Sequence, residues 1–198
     1  MVVMAKNSKD AVFRIIFVCT GNICRSPMAE VIFRDTVEQI GLGSAVSIAS
    51  AGTGEWHVGE KADPRTQSAL ERAGFTAENH RAKQFEVDWF ETFDLIITFD
   101  RGQRRILKAW ASDDEQRSLV QPLLTFHPAP PGGITEVPDP YYGNDQLFDH
   151  VRDMITSACQ ELLRQIEPVV RSTLTARAGS STSQGAQCAP PLPRSCAP

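Results

Sequence analysis

The first sustained apolar run in the chain is RIIFV at 14–18, which ends at Thr20-Gly21-Asn22. A short β-branched and aromatic run halted by a turn signal predicts a buried strand. Helical spacing follows at once, with Met28, Ile32, Phe33, Val37 and Ile40 falling on one helical face. Ser26 supplies an N-cap, Pro27 suits the first helical position, and Gly41 stops the helix.

The alternation repeats downstream. Residues 46–50 predict a second strand, Asp63 and Pro64 open a helix that closes at Gly74, and LIITF at 95–99 predicts a third buried strand. A helix over about 101–110, a fourth strand near 119–124 and a long helix from about Gln146 complete the pattern. The last helix gathers Leu147, Val151, Met154, Ile155, Ala158, Leu162 and Ile166 on one face. Strands alternating with helices predict an α/β fold of three layers, a central four-stranded parallel sheet flanked by helices. Ligands of such sheets bind beyond the carboxyl ends of the strands, so the loop after Val18 is the first place to look for chemistry.

Length bounds the organisation. The 198 residues fit one domain, expected over 12–175, with an N-terminal extension at 1–11. Irregular segments at 52–60 and 127–144 interrupt the alternation, and loops of that length are usually functional or disordered. From 176 to 198 large apolar side chains are nearly absent while Ser, Ala, Pro and Gly abound. That composition predicts a disordered tail, with Pro-Pro-Leu-Pro at 190–193 as a segment available to a partner.

Charge and cysteine usage remove several function classes. A net charge of -4 and pI near 5.6 argue against a surface dedicated to nucleic acid or anionic lipid, so any anion site must be local. No apolar run approaches the roughly 20 residues of a membrane span. The apolar stretch near the N-terminus is broken by Arg14 and runs into Cys19, and no cleaved signal peptide is expected. Five cysteines, at 19, 24, 159, 188 and 196, are odd in number and lack zinc spacing. A reducing, cytoplasmic location is the simpler expectation.

The predicted loop reads Cys19-Thr20-Gly21-Asn22-Ile23-Cys24-Arg25-Ser26. Backbone N–H groups of such a loop, at the positive end of a helix, can surround a tetrahedral dianion. Arg25 adds planar bidentate donors for two phosphoryl oxygens. The same field favours thiolate over thiol at Cys19 and makes it a nucleophile, with the Ser26 hydroxyl as a further donor. No metal or organic cofactor is called for, because the loop amides and Arg25 already supply positive charge.

A proton donor is also required, and Asp139, between Pro138 and Pro140 with Gly143 close behind, is the candidate. Asp before Pro is equally a turn opener, so the residues alone leave both readings open. Trp56, Tyr141 and Tyr142 fall in the irregular segments, where aromatic walls would favour a flat aryl ring. Each alone is more often a packing residue.

VCTGNICRSPMAE resembles the signature of the low-molecular-weight protein tyrosine phosphatases. The likeness extends over 12–168 through SAG at 50–52, EWHVGEKADPR at 55–65, NHRA at 79–82 and DPYYGND at 139–145. It implies hydrolysis of phosphotyrosine in a protein or peptide through a phosphocysteine on Cys19, with Arg25 on the phosphoryl group and Asp139 as general acid and base. Thr20, Gly21, Asn22, Ile23, Cys24, Arg25 and Ser26 would bind the phosphate. Asn22, Ser26, Ser50 and His80 would form the network that supports the loop. Ile23, Trp56, Tyr141 and Tyr142 would form the substrate walls, and Cys24 would be a redox partner of Cys19. The resemblance also implies inhibition by phosphate-like oxyanions and a monomer without nucleic-acid or membrane partners.

Three rivals stand beside it. Arsenate reductase shares the scaffold but needs further cysteines within reach of the first. A phosphoarginine phosphatase is associated with threonine where this chain has Ile23. A silent phosphotyrosine-binding module would not need Cys19, Arg25 and Asp139 together.

Overall fold

The computed structural model describes residues 11–181 apart from 128 and 130. The 1–11 extension, apart from Ala11, and the tail from 182 onward, with Cys188, Cys196 and the 190–193 segment, lie outside the described residues. Four parallel strands form one sheet in the order β2-β1-β3-β4. These are β1 (Phe13–Cys19), β2 (Val46–Gly52), β3 (Leu95–Thr98) and β4 (Val120–Pro122). Five helices, α1 (Arg25–Gln39), α2 (Pro64–Arg72), α3 (Arg101–Trp110), α4 (Asp114–Leu119) and α5 (Asp145–Ser181), cover it together with short 3-10 turns.

The buried run of β1 serves both layers because successive side chains point to opposite faces. Ile15 and Phe17 enter the core shared with α1, α2 and α5, where Met28, Phe33, Leu70, Phe148 and Ile155 meet them. Ile16 and Val18 enter the other, with Phe85, Phe90 and Leu107. Phe17 and Phe33 pack edge to face at 5.5 Å between ring centroids. β1 is thus held centrally, paired from Phe13↔Val46 to Cys19↔Gly52 on one side and from Ile15↔Leu95 to Val18↔Thr98 on the other. The chain leaves β1 for β2 on one side and later reaches β3 on the other. This change of direction opens the crevice at the carboxyl end of β1.

The structure departs from the sequence pattern in four places. Ser26 does not cap α1. The helix starts at Arg25 with Cys24 at the cap position, and no side chain bonds its first amides. β4 is only Val120–Pro122, because Leu119 ends α4 and Pro122 has no N–H for the ladder, a geometry suited to its edge position. α4 was not anticipated, although Asp113 accepts from the Gln116 N–H at 2.8 Å as a helix cap should. Finally, α5 continues past Pro168 to Ser181 and takes in 176–181, which composition had assigned to the tail.

Candidate active site

Cys19 closes β1 and α1 begins at Arg25, so the loop between them is stretched across the switch in strand order. Asn22 makes the turn possible in the left-handed region, at φ 56°, where a side chain able to bond locally offsets the steric cost. Its side chain is fully buried and fully used. Nδ2 donates to Ser26 Oγ at 2.8 Å and to Ser50 Oγ at 2.9 Å, while Oδ1 accepts from the Lys83 N–H at 2.9 Å. Ser50 Oγ in turn donates to Glu30 Oε2 at 2.6 Å. His80 Nε2 lies 2.7 Å from the Asn22 carbonyl oxygen, which makes Nε2 the protonated ring nitrogen. Asn22, Ser26, Ser50 and His80 therefore meet as one network, with Glu30 and the Lys83 amide as members the sequence did not expose.

The sulfur of Cys19 sits inside this frame. It is 3.0 Å from Ser26 Oγ and accepts the Asn22 N–H at 3.3 Å. Cys19 is only 3% exposed, so these polar partners act with little competition from water. At Cys24, burial first, then the charges of Cys19 and Asp63, push the thiol up to about 12. Cys24 remains a thiol at neutral pH and is a poor nucleophile until something ionises it.

Arg25 is buried at the first turn of α1 and carries two carboxylates. Nη1 donates to Asp100 Oδ2 at 2.8 Å and to the Val137 carbonyl at 3.2 Å, and Nη2 donates to Asp139 Oδ2 at 2.7 Å. Asp139 is positioned by its own loop, accepting the Tyr141 N–H at Oδ1, with Gly143 N–H closing the turn on the Pro140 carbonyl at 2.7 Å. Arg65 ties the far side of that loop down through the Gly143 carbonyl at 3.1 Å. Its guanidinium also lies over the rings of Phe148 and Tyr141 at 4.6 and 5.8 Å. Asp63 anchors Arg65 in turn. Burial alone would raise the Asp63 pKa, but hydrogen bonds and charge from Arg65 outweigh it and hold the carboxyl below its ordinary value.

A cleft of about 310 Å³ is lined by Cys19, Thr20, Gly21, Ile23, Cys24, Arg25, Trp56, His57, Asp139, Tyr141 and Tyr142. It gathers the expected nucleophile, cation, carboxylate and walls. A family model described as "Low molecular weight phosphotyrosine protein phosphatase" matches residues 14–172. The chain belongs to this family. A "Low molecular weight protein-tyrosine-phosphatase" of Streptomyces coelicolor is 45% identical over 158 residues, 80% of this chain and 96% of the relative. The crystal structure of YfkJ from Bacillus subtilis superposes with TM-score 0.73 at 35% identity, covering 81% of this chain and 98% of that one. A protein tyrosine phosphatase from Entamoeba histolytica, solved with Hepes in the active site, has TM-score 0.74 at 29% identity, covering 79% and 97%. The fold and the phosphatase class expected from the sequence are both upheld.

Within this phosphatase, the walls are uneven. Tyr141 lies beside His57, with ring centroids 6.3 Å apart, whereas Trp56 is 72% and Tyr142 96% exposed. Trp56 and Tyr142 lie at the rim, where the Tyr142 ring meets Tyr141 edge to face at 5.0 Å. His57 was not singled out from the sequence, although it adjoins Trp56 in EWHVG; its Nδ1 pairs with Glu60 Oε2 at 2.7 Å. A larger cleft of about 400 Å³, bounded by Phe90, Glu91, Asp94, Asp113 and Glu115, has none of this chemistry. Among the described residues no helix is long and apolar enough to cross a membrane.

The half-buried His80 makes the network sensitive to pH. Burial lowers its pKa below 6.5, and the bond to the Asn22 carbonyl only partly opposes this. The unfolded chain therefore binds a proton that the folded chain resists. The contribution of neutral His80 to stability is complete above about pH 6.5 and is lost as pH falls through the depressed folded value. Melting temperatures taken from about pH 7.5 to 5 should fall on acidification. The slope should diminish in His80→Gln, whose amide N–H can still reach the carbonyl but does not titrate. An unchanged slope in that variant would assign the pH response elsewhere.

Proposed function

We propose that this phosphatase hydrolyses phosphotyrosine in proteins or peptides through a phosphocysteine on Cys19. The observation that carries the reading is the placement of the Cys19 sulfur against the Asn22 N–H and Ser26 hydroxyl, in one cleft with Arg25 and Asp139.

The Cys19 thiolate attacks phosphorus while the bond from phosphorus to the tyrosyl oxygen breaks. The loop amides from Thr20 to Ser26 and the Arg25 guanidinium hold the equatorial oxygens. As the dianion takes up guanidinium donors, Asp139 is released from Arg25 Nη2 and acts as the acid. It gives its proton to the departing phenolate. In the second step the Asp139 carboxylate accepts a proton from water as the water oxygen attacks phosphorus. The S–P bond breaks, inorganic phosphate leaves, and Cys19 departs as a thiolate received by the Ser26 hydroxyl. Ile23, Tyr141 and the rim aromatics Trp56 and Tyr142 give the cleft its affinity for an aryl ring. The elevated thiol pKa of Cys24 limits it to a slow redox partner, one that meets Cys19 only after oxidation.

Arsenate reduction is disfavoured because Cys159, the remaining described cysteine, is fully buried within α5 and cannot relay electrons to the cleft. The deciding assay compares a phosphotyrosine peptide and an aryl phosphate with phosphoserine peptide, phosphoarginine, and arsenate plus thioredoxin. The aryl substrates should exceed the others by roughly 100-fold or more in kcat/KM. Arsenate reduction without aryl phosphate turnover would overturn the reading.

A further inference from the structure

The N-terminus of α3 reaches Thr20 and Arg25, at the two ends of the loop, with two residues that the mechanism leaves unassigned. Asp100 caps the helix: its Oδ1 accepts the Gln103 N–H at 2.9 Å, and the Gln103 side chain returns the bond to the Asp100 N–H. A capping box ordinarily ends there. Here both side chains go further. Gln103 is 2% exposed, and its Nε2 donates to Asp100 Oδ2 at 2.6 Å and to Thr20 Oγ1, the first loop residue after Cys19, at 3.2 Å. Asp100 Oδ2 is the same atom that receives Arg25 Nη1. One amide and one carboxylate thus link the start of the phosphate loop to the guanidinium at its end.

We infer that Gln103, acting through Asp100 and Thr20, is a positioning residue that fixes Arg25 and the loop in a common frame. The inference rests on the loop being the oxyanion site. A buried amide whose donors and acceptor are all engaged has one orientation. Gln103 Oε1 accepts the Phe99 and Asp100 amides, so Nε2 can face only Asp100 and Thr20. The carboxylate of Asp100 is therefore held from two sides and presents one lone-pair direction to Arg25. A merely structural cap would need neither the Thr20 bond nor the Arg25 bond.

Asp100→Asn separates the two roles by sign. Asparagine caps helices as well as aspartate, and its Oδ1 keeps the Gln103 N–H. Its Nδ2 then faces two donors, Arg25 Nη1 and Gln103 Nε2, and both bonds are lost. By charge alone, removing a carboxylate beside the site should tighten phosphate binding. If Asp100 positions Arg25, binding should instead weaken by about tenfold. Affinity for inorganic phosphate, read by calorimetry, decides between them whether or not the chain hydrolyses phosphotyrosine.

The link to the loop is tested by a cycle of Thr20→Val and Gln103→Met on the same readout. Thr20→Val deletes only the hydroxyl and should weaken phosphate binding a few-fold, with Thr20→Ser restoring it. In the Gln103→Met background it should have no further effect, because the partner is already gone. Tighter phosphate binding in Asp100→Asn, or additive losses in the cycle, would overturn the inference.

Discussion

Cys19→Ser should reduce hydrolysis of aryl phosphates by about 10⁴-fold or more while leaving phosphate binding intact. The loss follows from the change of nucleophile. Ser26 Oγ at 3.0 Å and the Asn22 N–H at 3.3 Å are spaced for sulfur, and the proposed attack uses the sulfur anion. A serine hydroxyl stays protonated at neutral pH, and no histidine stands against position 19 to remove its proton, since His80 bonds the Asn22 carbonyl and His57 pairs with Glu60. Loss of a nucleophile of this kind costs on the order of 10⁴ to 10⁶ in kcat. Binding should persist because it uses the loop amides and Arg25, and the neutral hydroxyl removes a negative charge that would repel the dianion. Phosphate affinity equal to or tighter than wild type, with no phosphoenzyme trapped on quenching, is the expected pair of results. Retained turnover would remove Cys19 from the mechanism.

Much of this site was legible because it is local. The strand, the loop and the helix that position Cys19 and Arg25 are contiguous, and a continuous apolar run gives way to a 3.6-residue period across a loop marked by Thr20-Gly21-Asn22. What escaped was the support from distant segments. Asp100 is 75 residues from Arg25 and Gln103 is 83 from Thr20, so nothing in their spacing reports the contact. Their own signal, Asp-x-x-Gln immediately after a buried strand, was a readable capping box at a strand's carboxyl end, the position where ligands bind. Ser26 misled for a related reason. Its type and place suit a cap, but its hydroxyl is engaged by the Cys19 sulfur, Asn22 Nδ2 and the Ala51 carbonyl. α5 runs past 176 to Ser181 because its end continues a helix already nucleated by the packed face, whatever the local composition implies in isolation.

Asp139→Ala should slow the reaction by an amount that depends on the leaving group, and this dependence distinguishes a proton donor from a turn former. For a phosphotyrosine peptide, whose phenol has a pKa near 10, loss of general acid catalysis should cost about 10² to 10³ in kcat. For aryl phosphates with more acidic phenols the cost should shrink steadily, because their oxygens leave without a proton. A turn former would show an equal loss for every substrate, arising from a displaced loop. Several contacts make such displacement small: Arg65 holds the Gly143 carbonyl, the Val137 N–H donates to the Phe99 carbonyl at 2.8 Å, and Gly143 N–H closes on Pro140. None involves the Asp139 carboxyl. Its removal also frees Arg25 Nη2 from a competing carboxylate 2.7 Å away, so phosphate should bind no more weakly than to wild type. A steeper dependence of rate on phenol acidity, with undiminished phosphate affinity, therefore assigns the proton to Asp139. A uniform loss together with weakened phosphate binding assigns the residue to loop structure, and the proton must then come from elsewhere in the cleft.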